Sequence, residues 1–468
     1  MNVKSRLLYG SGVVNYALKD AAFGAFLLLY YKQVLGLSGT MAGIAIAISV
    51  MWDAISDPLV GAWSDKVHSR WGRRHPFMLA SVLPLALSFI AVFSPPADVV
   101  SVPLYLFYWL LGSVIFLRTA LTFFMVPYLA LGAEISTDYH ERTRLASVRT
   151  NLGWFVGVVV ISSALVLIFT PLNGVDGRFV AQNYSRYGIL SALGVIVCSW
   201  ICIKGTWSHI PALPKPARTA HTGMWHAIKE TFSNRNFRYL VILETALGGL
   251  SGVVTVLLMV TYTYFWQLST TQISILFAGP PLLAILLVST SSRLVNHHLE
   301  KQQLLRLSCI LAAINMLWLT PLKLWDLLPD NGTVVFCLVF LNYALNTTFV
   351  IVRMISVQSL LADIVDEQEL ASGKRQEGVM FSAAFFAAKF ISGFGYLVAG
   401  PFLDLIGLQS NMLPGDTPVS VFWGLGLIMG PGLAVMLLIP IWMSFKLNQS
   451  KDAQMAIQKS LQQRNQAS

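Results

Sequence analysis

The sequence predicts an all-α membrane protein with twelve transmembrane helices arranged in two halves of six. Of its 468 residues, 55% are hydrophobic and only 12% are charged, whereas a soluble domain carries about 25% charged residues. The apolar residues also form blocks of roughly 20 or more, the length that crosses a bilayer as a helix. Backbone groups cannot stay unpaired in lipid, and the blocks lack the two-residue alternation of barrel strands, so helices are expected.

Twelve blocks meet this length criterion, and we expect one helix from each. The first is too long for a cleaved signal peptide and carries Lys19 and Asp20 inside it, so it counts as a span. In chain order, the blocks cover residues 9–35, 40–65, 76–95, 102–133, 146–170, 187–207, 237–266, 272–292, 304–322, 333–361, 379–408 and 419–446.

The positive charge of the chain is distributed unevenly about these spans. The formal net charge is +10, and 24 of the 32 Lys and Arg residues lie in segments that are inside if the N-terminus is cytoplasmic, against four in the segments outside. This positive-inside pattern predicts that both termini are cytoplasmic. It also accounts for the charge without a nucleic-acid partner.

The longest connection divides the chain into two predicted halves. Similar stretches, AEI at 133–135 and ADI at 362–364, follow the fourth and tenth spans, and such matching suggests two parallel six-helix repeats. The polar tail is expected to be a short helix or disordered. The predicted parts are a first bundle, a central cytoplasmic loop, a second bundle and the tail, at 1–207, 208–235, 236–446 and 447–468.

Other classes of protein are disfavoured by what the sequence lacks. It contains no GxxxxGK[ST] nucleotide loop, no HExxH zinc motif and no GxSxG nucleophile motif, and the central loop is too short for a catalytic domain. The four cysteines all lie within apolar blocks, so neither a disulfide framework nor a metal site is expected from them. We therefore expect neither an enzyme nor a channel, and no cofactor.

Eight charged residues lie well inside the apolar blocks. Each costs at least about 2.5–3.5 kcal/mol at the centre of a helix, so such residues are expected to pair or to line a watery cavity. A functional role and a structural salt bridge between helices both remain open for each of them. They are Lys19, Asp20, Asp53, Asp57, Arg118, Glu244, Arg353 and Lys389.

Asp53 and Asp57 are the best candidates for a cation site. They lie four residues apart and therefore share one helix face, where two like charges repel unless a proton or a metal ion lies between them. Two carboxylates supply most of the oxygen ligands that a sodium ion needs. Pro58 follows directly and frees the carbonyl of Ala54, which could be a further ligand.

Three further charges are candidates for substrate binding and coupling. Lys19 and Asp20 are neighbours that point roughly 100° apart on a helix and do not face each other. One is therefore expected to face the cavity, as a substrate or ion ligand, while the other pairs elsewhere. Lys389 on the eleventh span could pair with an empty carboxylate site and be released when a cation arrives, which would couple ion binding to movement.

Arg118, Arg353 and Tyr128 complete the candidates for substrate binding. A guanidinium suits a carboxylate, sulfonate or phosphate group, but either arginine could instead pair with Glu244 or with a backbone carbonyl. Tyr128 belongs to a set of aromatic residues that could stack on a sugar ring. Such residues more often pack within the membrane or lie in its interfacial belt.

The stretch Asp53–Gly61, with the sequence DAISDPLVG, resembles the second helix of the glycoside–pentoside–hexuronide:cation symporter family. Further stretches agree with this family in order along nearly the whole chain. They are KD at 19–20, DK at 65–66, SRWGRRHP at 69–76, VPYLAL at 126–131, ADIVD at 362–366, GKR at 373–375 and Lys389.

This resemblance implies a major facilitator fold, alternating access and a bacterial inner membrane. It implies that Asp53 and Asp57 form the cation site, for sodium or a proton, that Asp20 contacts sugar and that Lys389 couples the two. Melibiose-carrying members of the family have an acid where Met125 stands and a tryptophan where Met354 stands. Together with Arg118 nearby, these departures favour an anionic or otherwise different glycoside.

Two functions are therefore expected. The first is symport of a sugar, glycoside or hexuronide, driven by sodium or protons, by a monomer in the lipid bilayer. The alternative is a sodium-dependent carrier of a lysolipid or another amphiphile with the same fold, because the resemblance extends to lysolipid carriers that lack the same fourth-helix acid. An apolar lateral cleft would favour the second, and a closed polar cavity the first.

Overall fold

The structure, a computed structural model, describes residues 3–67, 69–135, 139–210, 229–373, 376–449 and 451–467. Within these ranges, twelve helices are long and apolar enough to cross a membrane, which confirms the predicted number. We name them α1 to α12, followed by a tail helix, α13. Their bounds are Val3–Val34, Gly39–Lys66, His75–Phe93, Pro103–Glu134, Arg144–Ile168, Ala181–Trp207, Arg235–Phe265, Thr270–His298, Lys301–Leu324, Gly332–Ser372, Glu377–Leu405, Val419–Lys446 and Lys451–Ala467.

Most helix ends lie within a few residues of the predicted ones, and α10 is the largest exception. It continues to Ser372, eleven residues past the predicted end. A search for apolar blocks detects only the apolar part of a helix and misses a polar continuation beyond it. Gly373 then ends α10 in the left-handed conformation, at φ 73°. The polar tail, which was expected to be helical or disordered, forms α13 over 17 residues.

Within the described residues, the spans contain five short segments with π-helical hydrogen bonding. Two of them lie in α1, at Ala22–Phe26 and Tyr30–Val34, and the first begins two residues after Asp20. Such local widening of a helix is frequent at functional sites because it reorients the side chains beside it. The remaining three end α5, end α7 and interrupt α12.

The chain folds into two compact units. Unit 1 contains α1 to α6 together with Thr255–Phe277 and Tyr396–Val421, which are the end of α7 with the start of α8, and the end of α11 with the start of α12. Within it, α4 packs on α2 and α3, and α6 packs on α3. The division into sequence halves stays a prediction, and residues 211–228 of the predicted central loop lie outside the described residues.

Glycines allow α2 and α11 to meet backbone to backbone within unit 1. A Cβ atom on Gly400 would lie 2.3 Å from the carbonyl oxygen of Gly39, and one on Gly43 would lie 2.7 Å from that of Tyr396. Any side chain at these positions would therefore force the two helices apart. These contacts join a helix of the first half of the chain to a helix of the second half.

Unit 2 contains the rest of α7, α8, α11 and α12, with α9, α10 and α13. Its core packs apolar side chains of α7, α9, α10 and α11, including Leu240, Leu305 and Leu360. Gly248 and Gly252 of α7 lie against the backbone of α11 at Ala388 and Ser392. This close approach places Lys389, on α11, beside the α7 contact.

Candidate ion and substrate site

Asp53 and Asp57 both face α4, where one threonine contacts the two of them. The hydroxyl oxygen of Thr122 lies 3.1 Å from Oδ1 of Asp53 and 3.0 Å from Oδ1 of Asp57. A threonine hydroxyl has one proton and can donate to only one carboxylate at a time. Three oxygens therefore converge in a space that suits a shared proton or a monovalent cation.

Arg118, one turn before Thr122 on α4, contacts one of these carboxylates, that of Asp53. Its Nη1 donates to Oδ2 of Asp53 at 2.8 Å, and its Nε donates to the hydroxyl of Ser49 at 2.9 Å. The guanidinium also lies 4.5 Å from the ring centre of Phe23 on α1. Arg118 and Asp53 are 4% and 6% exposed, so this is a buried ion pair. The predicted substrate ligand Arg118 thus lies against the predicted cation site.

Lys19 and Asp20 form an ion pair with each other, and the expectation that these neighbours do not face each other is wrong. Their Cβ atoms do diverge, but a lysine has four methylene groups and its ammonium can fold back to the next residue. The ammonium also lies 4.0 Å from the ring centre of Tyr16. Lys19 is buried, whereas the side chain of Asp20 is 54% exposed, so Asp20 is the member that faces open space.

Tyr128 lies in the interior of unit 1. Its side chain is fully buried and stacks on Tyr9 of α1 with ring centres 4.7 Å apart, while Phe124 packs at 5.9 Å. The packing role that was left open for this aromatic residue is the one seen here. A sugar could reach its ring only after the Tyr9 contact opens.

The comparisons with known proteins agree with this arrangement of helices. Residues 8–449 match the family model described as "MFS/sugar transport protein". The chain therefore belongs to the MFS/sugar transport family. This is a family of membrane transporters and not of enzymes, and the predicted membership of a sugar–cation symporter group with a major facilitator fold is confirmed.

Individual relatives of this MFS chain are distant. The isoprimeverose transporter of Lactiplantibacillus pentosus is 23% identical over 85% of this chain and 80% of its own. The sodium-dependent lysophosphatidylcholine symporter 1-A of Danio rerio is 26% identical over 45% of this chain and 41% of its own. Among solved structures, the inward-open xylose transporter XylE of E. coli superposes with a TM-score of 0.64 at 14% identity, covering 97% and 98% of the two chains, and shows the shared fold.

In unit 2 of the MFS fold, Glu244, Arg353 and Lys389 lie on α7, α10 and α11. Arg353 is buried and interacts electrostatically with Glu244, one of the partners that the sequence left open. Glu244 also lines a small cavity with Met354, Gln358 and Phe385. Lys389 is half-buried, and its carbonyl accepts a hydrogen bond from Ser392 at 2.6 Å.

Sequence reasoning missed Ser49 and Thr122, although one signal could have found them. Arg118 and Thr122 are four residues apart on α4, as Asp53 and Asp57 are on α2. Two such pairs on packed helices place a cation and a hydroxyl opposite two carboxylates. Hydroxyl groups change hydropathy little, so a search for membrane charges alone does not single them out.

A polar network that the sequence did not predict lies in unit 1, at the connection between α1 and α2. Asp404 of α11 accepts hydrogen bonds from the backbone N–H groups of Gly39 and Thr40, at 2.8 and 2.7 Å, and from the Thr40 hydroxyl. Lys32 of α1 adds an ion pair at 2.5 Å. Asp404 thus caps the start of α2, where the helix dipole favours a carboxylate.

Arg178, between α5 and α6, makes a second connection at the same end. It pairs with Asp176 at 2.8 Å and donates to the hydroxyl of Thr263 and the carbonyl of Leu268, which belong to the second half of the chain. Burial by itself raises the pKa of the Asp176 carboxyl. The hydrogen bonds and charge of Arg178 outweigh burial and hold that pKa below its usual value.

At the opposite end of the spans, further ion pairs surround the family stretch at 69–76. Arg73 and Arg74 both pair with Glu134 of α4, at 2.9 and 2.7 Å, and Arg74 also pairs with Asp65 of α2. In unit 2, Lys301 pairs with Asp363 at 2.8 Å. Glu134 and Asp363 are the acids of the repeated AEI and ADI stretches, so the repeat positions carry comparable contacts.

Proposed function

We propose that this MFS chain is a secondary active symporter that couples the uptake of a sugar or glycoside to a cation bound between Asp53 and Asp57. The observation that carries the proposal is the convergence of these two carboxylates on Thr122 inside the membrane-spanning part. Ionisable groups at such depth are costly and are retained mainly where they bind ions or substrate.

The exposed part of the site suits a hydroxyl-rich solute. The carboxylate of Asp20 and the ring of Tyr16, 43% exposed, face open space although they lie on a spanning helix. A carboxylate accepts hydrogen bonds from sugar hydroxyls, and an aromatic face packs against the apolar side of a sugar ring. Lys19 holds the carboxylate of Asp20 in place through their ion pair.

Coupling follows from electrostatics in this proposal. A cation bound at Asp53 and Asp57 changes the net charge of the site, so the loaded and empty sites favour different arrangements of the surrounding helices. Lys389 is the proposed countercharge that responds to this change, and Arg353 is a proposed contact for an anionic substituent. The transporter acts as a monomer in a bacterial inner membrane with both termini cytoplasmic.

A lysolipid carrier is the second candidate, favoured by the partial similarity to the lysophosphatidylcholine symporter. A thermal-stability screen of the purified protein distinguishes the two. Sodium, lithium and pH would be varied against neutral glycosides, hexuronides and lysolipids. A ligand present at 100 times its dissociation constant stabilises the fold by about 2.7 kcal/mol. Stabilisation by one class of sugar supports the proposal, whereas stabilisation by lysolipid alone contradicts it.

A further inference from the structure

We propose that Arg118 is a built-in competitor of the coupling cation and sets how strongly the carboxylate site binds a metal ion. This inference rests on the proposed function, since it assigns a role within the same site. Arg118 would act by occupying Asp53, and not by binding substrate.

The contacts of Arg118 hold its guanidinium firmly on Asp53. Oδ2 of Asp53 accepts from Nη1 at 2.8 Å, Ser49 accepts from Nε at 2.9 Å, and the ring of Phe23 lies against the guanidinium. An arginine does not lose its charge in a protein. The Asp53 carboxylate therefore faces a permanent positive charge that no change of pH removes.

This fixed charge lowers the affinity of the site for a metal ion in two ways. Sodium needs several oxygen ligands, and Arg118 occupies one of the four carboxylate oxygens of Asp53 and Asp57. A metal ion beside the remaining oxygens also meets the repulsion of the guanidinium.

Arg118 and Thr122 contact different oxygens of the carboxylate pair. Arg118 contacts Oδ2 of Asp53, whereas Thr122 contacts Oδ1 of Asp53 and Oδ1 of Asp57. A cation bound at Thr122 and the guanidinium of Arg118 would therefore engage different oxygens of Asp53. Removing the guanidinium would end its contact with Oδ2 and abolish the repulsion, so sodium should bind more tightly.

The test is equilibrium binding of sodium to the purified full-length protein in detergent, with choline replacing sodium at constant chloride. Sodium-dependent thermal stabilisation gives the half-saturating concentration. We expect Arg118→Gln to lower that concentration at least about tenfold, given the strength of a charge at this distance. Arg118→Lys is the matched control, because it keeps the positive charge, and it should stay close to the unaltered protein.

Loss of Arg118 leaves Asp53 buried without its partner and could prevent folding. Ser49→Ala is the second variant, since it keeps every charge and only loosens the guanidinium. We expect it to lower the half-saturating sodium concentration about threefold, in line with one lost hydrogen bond. Unchanged or weaker sodium binding in Ser49→Ala, or in a folded Arg118→Gln, would overturn the inference.

Binding and transport are read separately in this design. If no ion gradient drives accumulation of any sugar by the unaltered protein, the proposed function fails. If sodium affinity does not respond to Arg118 while ion-driven accumulation is normal, only the inference fails.

Discussion

The buried charges of the candidate ion and substrate site are paired, and the partners decide what each charge can do. Arg118 neutralises Asp53, Lys19 neutralises Asp20, and Thr122 connects Asp53 to Asp57. A lone charge at membrane depth costs at least about 2.5–3.5 kcal/mol, which explains why these contacts form. Among these paired charges, Asp20 keeps an exposed carboxylate, and this makes it the strongest candidate for contacting a substrate.

Thr122 gives a prediction that separates its hydroxyl from its shape. Thr122→Val keeps the volume but removes an oxygen that faces both carboxylates. We expect about a tenfold loss of affinity for the coupling ion, comparable to one charge-assisted hydrogen bond. Ion-dependent thermal stabilisation would measure it. Thr122→Ser retains the hydroxyl and should bind nearly as well; equal losses in both variants would rule out the hydroxyl's role.

Asp176 gives a prediction about pH. Its pKa is lowered in the folded protein, so the stabilisation from its pair with Arg178 is present above the unfolded carboxyl pKa of about 3.9 and is lost as pH falls through the folded value. Asp176→Asn should therefore lower the melting temperature at neutral pH, and the difference should shrink in acid. Asp98→Asn, at an exposed carboxyl, is the control. A pH-independent difference would show that the pair's charge does not matter.

Among the elements, α2 combines two roles at its two ends. Its start is capped by Asp404 and touches α11 through glycines, while its middle carries Asp53 and Asp57. A movement of α2 relative to α11 would therefore change the closure at Asp404 and the ion site together. This gives a physical route by which ion binding could affect access to the site.

Asp404→Asn should loosen the start of α2, because a neutral amide cannot pair with Lys32 and accepts more weakly from Gly39 and Thr40. We expect exchange of these two backbone amides to become about tenfold faster, since a hydrogen bond to a charged group contributes roughly 1.5–3 kcal/mol. Hydrogen–deuterium exchange with mass spectrometry over residues 33–42 would detect it.

The control for that experiment is Asp416→Asn, which changes an exposed carboxyl between α11 and α12. It should leave exchange over 33–42 unchanged. Protection that persists in Asp404→Asn would mean that the glycine contacts alone keep this end closed.

For the whole molecule, the sequence was sufficient to predict what depends on local composition. Hydropathy predicted all twelve spans, and the four-residue spacing placed Asp53 and Asp57 together. The sequence did not predict that Lys32 and Arg178, which were counted only as external charges, contact the second half of the chain. Such contacts cannot be inferred from local sequence, because Lys32 and its partner Asp404 are more than 350 residues apart. Lys19 was misjudged because backbone direction says little about where a long, flexible side chain ends.

Lys389 gives the prediction for coupling across the molecule. If it is the countercharge of the carboxylate site, Lys389→Ala should abolish ion-driven accumulation while leaving the protein folded. Transport in proteoliposomes would measure this, with Lys323→Ala, at the end of α9, as a control that removes a half-buried lysine outside the proposed site. Normal accumulation with full ion coupling in Lys389→Ala would mean that Lys389 has no such role.

The central claim is that the carboxylates of Asp53 and Asp57 couple a cation to the solute. The most direct measurement is accumulation of the stabilising sugar in proteoliposomes under an imposed sodium or proton gradient. The unaltered protein and Asp98→Asn should concentrate the sugar until an ionophore collapses the gradient, whereas a folded Asp57→Asn should not concentrate it. Accumulation by Asp57→Asn equal to that of the unaltered protein would contradict the account.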